Sequence, residues 1–166
     1  MFCCPTSSTT ARIYDPITDT LSTPTGTYPG STAFGGCALL PDGRVFCVPL
    51  SSATARIYDP ITDTLSTPTG TYPGSLSFFG SSLLPDGRVY MPAYSSTTAR
   101  IYDPVADTLT TPTGTYPGGG FSFGCALLFD GRVYVAPASG TSARIYSGGY
   151  PQQTAARVLG TYDNKF

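Results

Sequence analysis

"LLPDGRVFCVP" occupies residues 39–49, and the chain writes the phrase twice more, as "LLPDGRVYMPA" at 83–93 and "LLFDGRVYVAP" at 127–137. Each copy stands 44 residues after the last. Self-similarity at such a period marks a repeat architecture, in which one supersecondary unit stacks on its neighbours. Inside the phrase two apolar runs flank Asp-Gly, the strongest short hairpin signal. It predicts a tight turn with φ > 0 at both central positions.

Working outward, residues 34–77 complete one unit with four strands separated by turn signals. They are expected at Cys37–Leu40, at Arg44–Val48, in "ARIYDP" (55–60) and in "DTLSTP" (63–68). The third alternates, with Ala55 and Ile57 set against Arg56 and Tyr58. It stops at Asp59-Pro60, where the carboxylate closes a turn and proline cannot continue a central ladder. Composition agrees: the chain has no Glu and one Lys, while Thr, Tyr, Val, Ile and Phe suit strands. Nineteen Gly and sixteen Pro among 166 residues supply the turns. The fold class is all-β.

The placement of "LLPDGRV", "ARIYDP" and "TDTL" resembles the kelch-type propeller blade, particularly that of the central domain of galactose oxidase-like proteins. The resemblance implies a β-propeller of about four kelch-like four-stranded blades. Two features depart from the family: Pro-Leu-Ser-Ser replaces its paired glycines, and Leu21, Leu65 and Leu109 replace its Trp. On the 44-residue step a single repeat domain, 1–166, divides into partial and full blades. Residues 1–35 give strands two to four, 36–79 and 80–123 give full blades, and 124–146 give strands one to three. In the closing segment, 147–166, "LGTYDNKF" parallels "LLPDGRVF". It reads as a displaced strand one, with Val158–Tyr162 meeting Phe2–Cys4. The termini then share a blade within one molecule, or complete a neighbour in a ring or head-to-tail homo-oligomer.

The charged residues repeat with the units. Arg44, Arg88 and Arg132 follow the Asp-Gly turn, and Arg12, Arg56, Arg100 and Arg144 open "RIY". Asp15, Asp59 and Asp103 precede Pro, with Asp19, Asp63 and Asp107 four residues on. Near-identical copies of a carboxylate pair suit turns and Arg–Asp pairing. An acid–base site needs one asymmetric constellation, and a calcium site six to eight oxygen ligands. No His is present to activate a nucleophile. No catalysis, metal or cofactor is therefore expected. Cys3, Cys4, Cys37, Cys47 and Cys125 read mainly as small hydrophobes, with a Cys37–Cys47 bridge as an alternative. A net charge of −1 sets nucleic acid aside, and no apolar run has the length of a membrane span or the form of a signal peptide.

One set of loops is nearly constant between copies ("PDG", "DPITDT") and falls on one end of the blades. The other set drifts ("PGSTAFGG", "PGSLSFFG", "PGGGFSFG") and falls on the opposite end. Drifting loops rich in Tyr, Phe, Ser and Gly suit recognition. The candidate ligand-binding residues there are Tyr28, Phe34, Tyr72, Phe78, Phe79, Tyr94, Tyr116, Phe121 and Tyr150. The expected role is a recognition or adhesion module contacting glycan or another surface protein. Its composition is like that of virion and bacteriophage tail-fibre proteins, so a virion or extracellular surface is the expected location. A self-assembling structural subunit without a ligand, and a cytoplasmic scaffold for protein partners, are the alternatives.

Overall fold

A computed structural model describes residues 1–114, 121–139 and 141–148. Fourteen strands lie in that region, all of them antiparallel to their neighbours, and they form four small sheets. Blade 1 contains β1 (Phe2–Cys3), β2 (Arg12–Asp15) and β3 (Thr20–Ser22). Blade 2 contains β4 (Phe34–Leu39), β5 (Val45–Pro49), β6 (Arg56–Asp59) and β7 (Thr64–Ser66). Blade 3 contains β8 (Ser82–Leu83), β9 (Val89–Met91), β10 (Arg100–Asp103) and β11 (Thr108–Thr110). Blade 4 contains β12 (Ser122–Leu127), β13 (Val133–Pro137) and β14 (Arg144–Tyr146). Within each sheet the strands follow chain order. The proposed pairing of Val158–Tyr162 with the amino terminus falls outside the described residues.

The Asp-Gly turn forms at the expected place with different dihedrals. Gly43 takes φ +90°, but Asp42 is not among the positive-φ residues. Gly43 N–H donates to Leu40 O at 3.0 Å and Leu40 N–H to Arg44 O at 2.8 Å. The loop is thus a type I turn closed by a left-handed glycine, rather than a mirror-image two-residue turn. Pro41, whose φ is fixed near −65°, favours that first position. Asp42 accepts Arg44 N–H at 3.1 Å and pairs with its guanidinium at 2.7 Å. The pair returns as Asp86–Arg88 and Asp130–Arg132, both at 2.6 Å.

The expected alternation of the third strand is overturned. Ile57 and Tyr58 are both buried, and so are Ile101 and Tyr102. Each inner blade has a neighbour on both faces, so successive side chains point into two different cores. Aromatic pairs mark these junctions. Phe2 stacks on Tyr58 (5.0 Å between ring centroids), Phe46 on Tyr102 (4.7 Å) and Tyr90 on Tyr146 (4.6 Å). Strand two of one blade therefore lies against strand three of the next.

A polar clasp supports the first two junctions. The Asp63 carboxylate accepts Thr25 N–H at 3.0 Å and the Thr25 hydroxyl at 2.6 Å. Asp107 does the same for Thr69, at 3.0 and 2.6 Å. Beside each clasp a glycine admits a leucine. A Cβ on Gly26 would lie 2.8 Å from Leu65 Cβ, and one on Gly70 would lie 2.9 Å from Leu109 Cβ.

Candidate functional site: an aromatic trio on the drifting-loop end

The drifting loops are held by main-chain bonds that step from blade to blade. Ala33 N–H donates to Thr6 O (2.9 Å), Leu50 to Ala33 (2.7 Å) and Ser77 to Leu50 (2.7 Å). Tyr94 then donates to Ser77 (2.8 Å), Phe121 to Tyr94 (2.9 Å) and Ala138 to Phe121 (2.6 Å). Left-handed non-glycine residues occur at both ends of the blades: Ser31, Thr32 and Leu76 take φ +61°, +60° and +47° here, and Asp19, Asp63 and Asp107 take φ +52°, +51° and +49° in the constant loops. Such outliers persist only where surrounding structure holds them.

Five of the expected ligand-binding residues are corrected to core positions. Tyr28, Phe34, Tyr72, Phe78 and Phe121 are at most 3% exposed, too little to present a ring to a ligand. Tyr28 meets Phe34 edge-on at 6.1 Å, and Tyr72 meets Phe78 the same way at 6.2 Å. Burial raises the pKa of both tyrosines, and neither hydroxyl has a hydrogen-bond partner among the described residues. They fill the space between blades. Tyr116 and Tyr150 lie outside the described residues.

Phe79 and Tyr94 are brought together, and Phe123 joins them. Tyr94 stacks on Phe123 with centroids 5.3 Å apart and planes at 26°. Phe79 meets both rings edge-on, at 5.7 Å from Tyr94 and 5.5 Å from Phe123. Phe79 and Tyr94 are half-buried, whereas Phe123 is 59% exposed. The trio thus presents one open ring face on a rigid support. Strict alternation would turn Phe121 and Phe123 to the same side, and on that reading Phe123 stays hidden. The β12–β13 register shifts between Ser122 and Gly124, so the intervening Phe123 is re-aimed outward. The available signal was the 44-residue step, which aligns Phe123 with Phe79 and with Gly35. Gly35 cannot take an aromatic, because its Cβ would lie 2.7 Å from Phe78 O. The cluster is therefore particular to the junction of blades 3 and 4.

The cysteines are all free thiols. Cys37 and Cys47 stand directly opposite in the β4–β5 ladder, but no bond joins them. Cys47 is buried, and its hydrogen bond with Cys4 together with burial pushes its thiol pKa up. Burial raises that of Cys125 to about 12. Among the described residues no group of three or more His, Cys, Asp or Glu could hold a metal ion.

No protein-family model matches the sequence, and no curated protein does. Solved structures do. Selenomethionine-substituted virginiamycin B lyase from Staphylococcus aureus aligns with 90% of this chain and 50% of its own, at TM-score 0.66 and 12% identity. An auxiliary nutrient binding protein from Bacteroides ovatus aligns over 82% of this chain and 32% of its own, at TM-score 0.64 and 16% identity. A streptogramin B lyase gives TM-score 0.63 at 7% identity over 84% of this chain and 48% of its own.

This is a β-propeller fold of about four blades. The chain spans half or less of the length of the structures it resembles. At these identities the likeness concerns the fold alone. One expectation is corrected by it. Catalysis was set aside on residue types, yet two of these structures are lyases, so the architecture gives no ground for that exclusion.

Proposed function

We propose that this propeller is a recognition module whose contact surface is the drifting-loop end, centred on Phe79, Tyr94 and Phe123. The observation behind this reading is the exposed Phe123 ring, braced by Tyr94 and Phe79 above a hydrogen-bonded rim. A flat aromatic face flanked by Ser, Thr and Gly fits the apolar face of a sugar ring, with hydroxyls and peptide groups nearby for its polar edge. Glycan is the ligand class this chemistry favours. The Thr/Ser/Gly-rich composition supports an adhesive role on a virion or another exterior surface, with repetition compensating for weak single contacts.

A glycan array probed with the intact chain, and repeated with Phe123→Ala, tests the reading. Binding to a defined set of glycans that falls at least about tenfold in the variant supports it. Uniform silence of the wild type, or binding indifferent to Phe123, overturns it.

A structural reading has its own observation. Leu21 of blade 1 is 67% exposed whereas its counterparts Leu65 and Leu109 are half-buried, and Ile145 of blade 4 is 48% exposed whereas its counterparts Ile57 and Ile101 are buried. Outer faces of this kind suit stacking on further blades of another subunit. Sedimentation of the purified chain distinguishes the two: stable multimers with no glycan binding favour assembly.

A further inference from the structure

At the repeat position of strand four, blades 1, 2 and 3 carry β3 (Thr20–Ser22), β7 (Thr64–Ser66) and β11 (Thr108–Thr110), whereas blade 4 ends at β14 among the described residues. The sequence after Tyr146 does not repeat "DPITDTLST": the only leucine beyond it is Leu159, with Arg157 where the repeat has Asp. A cleft of about 550 Å³ lies along that edge, and its lining includes Thr113, Gly114, Arg144, Ile145 and Tyr146.

Each of these groups has counterparts in the other blades, and there the counterparts are partnered by a fourth strand. Arg56 donates to Thr67 Oγ1 and Arg100 to Thr111 Oγ1, both at 2.7 Å, and Arg12 likewise to Thr23. Tyr58 and Tyr102 donate their hydroxyls to Asp63 and Asp107 at 2.9 Å. Thr25 and Thr69 donate to the same two carboxylates. Gly26 and Gly70 lie under Leu65 and Leu109, while nothing approaches a Cβ on Gly114 within 4 Å. The cleft thus brings together a guanidinium, a phenol, a threonine, a glycine floor and a strand edge that pairs with no further strand among the described residues, in the arrangement that receives Asp-Thr-Leu-Ser/Thr-Thr elsewhere in the chain.

We propose that the β14 edge is a receiving slot for an extended segment of another polypeptide, of the type Asp-Thr-Leu-(Ser/Thr)-Thr. Main-chain pairing with Arg144–Tyr146 supplies a β-augmentation contact, and side-chain pockets supply selection. The peptide Leu covers Gly114. Its Asp accepts from the Tyr146 hydroxyl and from Thr113, and its last Thr accepts from Arg144. The lining of the cleft shares no residue with the aromatic trio, and the slot does not depend on that site.

The test is a fluorescence-polarisation titration of the intact chain with a labelled peptide, Pro-Ile-Thr-Asp-Thr-Leu-Ser-Thr-Pro-Thr, the sequence of residues 60–69. Saturable binding is expected. Replacing the peptide Leu by Ala should weaken it by at least about tenfold, since a packed aliphatic side chain is lost. Tyr146→Phe, which keeps the stack on Tyr90, should weaken it by about tenfold through the lost bond to the carboxylate. Arg144→Ala should weaken it further, and both variants should melt as the wild type does. No saturable binding at millimolar peptide overturns the proposal. So does binding indifferent to the peptide Leu and to both variants.

Discussion

Phe46 stacks on Tyr102 with centroids 4.7 Å apart and planes 17° from parallel, across the junction of blades 2 and 3. Both rings are essentially inaccessible to solvent. The contact joins residues 56 positions apart in the chain, so its strength reports on blade stacking rather than on any one sheet. Phe46→Ala is expected to destabilise the protein by about 3–5 kcal/mol, the range for emptying a large buried aromatic site. Chemical denaturation followed by tyrosine fluorescence measures this. A loss below about 1 kcal/mol would mean that the blades do not depend on the stack.

Tyr72 provides the opposite case. Its hydroxyl is buried without a partner among the described residues. Removing the oxygen therefore relieves a desolvation cost: Tyr72→Phe should leave stability unchanged or raise it by up to about 1 kcal/mol. Ligand binding on the drifting-loop end should not change. A clear loss of stability would reveal a polar partner for that oxygen.

The clasps between blades make stability depend on acid. Hydrogen bonds from Thr69, first from its hydroxyl and then from its N–H, hold the Asp107 carboxyl below its usual pKa. A group depressed in the folded state stabilises it above the unfolded pKa of about 4, and that contribution is lost as pH falls through the folded value. Asp63 has the same arrangement with Thr25. Melting temperature should therefore decline from about pH 4 downward. Asp107→Asn should lower it at neutral pH and have a smaller effect in acid. Both carboxylates are exposed, so the change is modest. Identical pH profiles for wild type and variant would contradict the account.

Gly80 and Gly43 separate two reasons for a glycine. Both take positive φ, +75° and +90°. A Cβ on Gly43 meets nothing within 4 Å, whereas one on Gly80 lies 3.3 Å from Gly124 Cα of the next blade. Gly43→Ala should cost about 1 kcal/mol from backbone conformation alone. Gly80→Ala should cost about 1–2 kcal/mol more, because two blades must move apart. Equal losses on denaturation would remove the packing contribution.

The residues that were readable from sequence are those whose reasons are local. Asp42-Gly43 announces its turn within four residues, and Asp59-Pro60 announces a strand end. Repetition at 44 residues then turns local elements into a stack. The aromatic residues were not sortable in the same way, since Tyr28 and Tyr72, in "GTYPG", and Tyr94, in "PAYSS", all stand in turn-like stretches of small residues. What separates them is the blade that lies against each: Phe34 and Phe78 cover the first two, while Tyr94 lies beside the outward-turned Phe123. The outward turn of Phe123 depends on a register shift against β13, a property of a strand pair rather than of either strand. Among the described residues blade 4 has no strand after β14, and the sequence shows the matching lack of a fourth "DTLST" copy after Tyr146. Its counterpart, a cleft furnished with the groups that text would have met, needed three dimensions.

The rim of peptide bonds from Thr6 to Ala138 has an evolutionary consequence. Because its joints are amide to carbonyl, they are indifferent to which side chains the loops display. Mutation can rewrite that vocabulary while the scaffold beneath keeps its grammar, so one framework can be retargeted without being rebuilt.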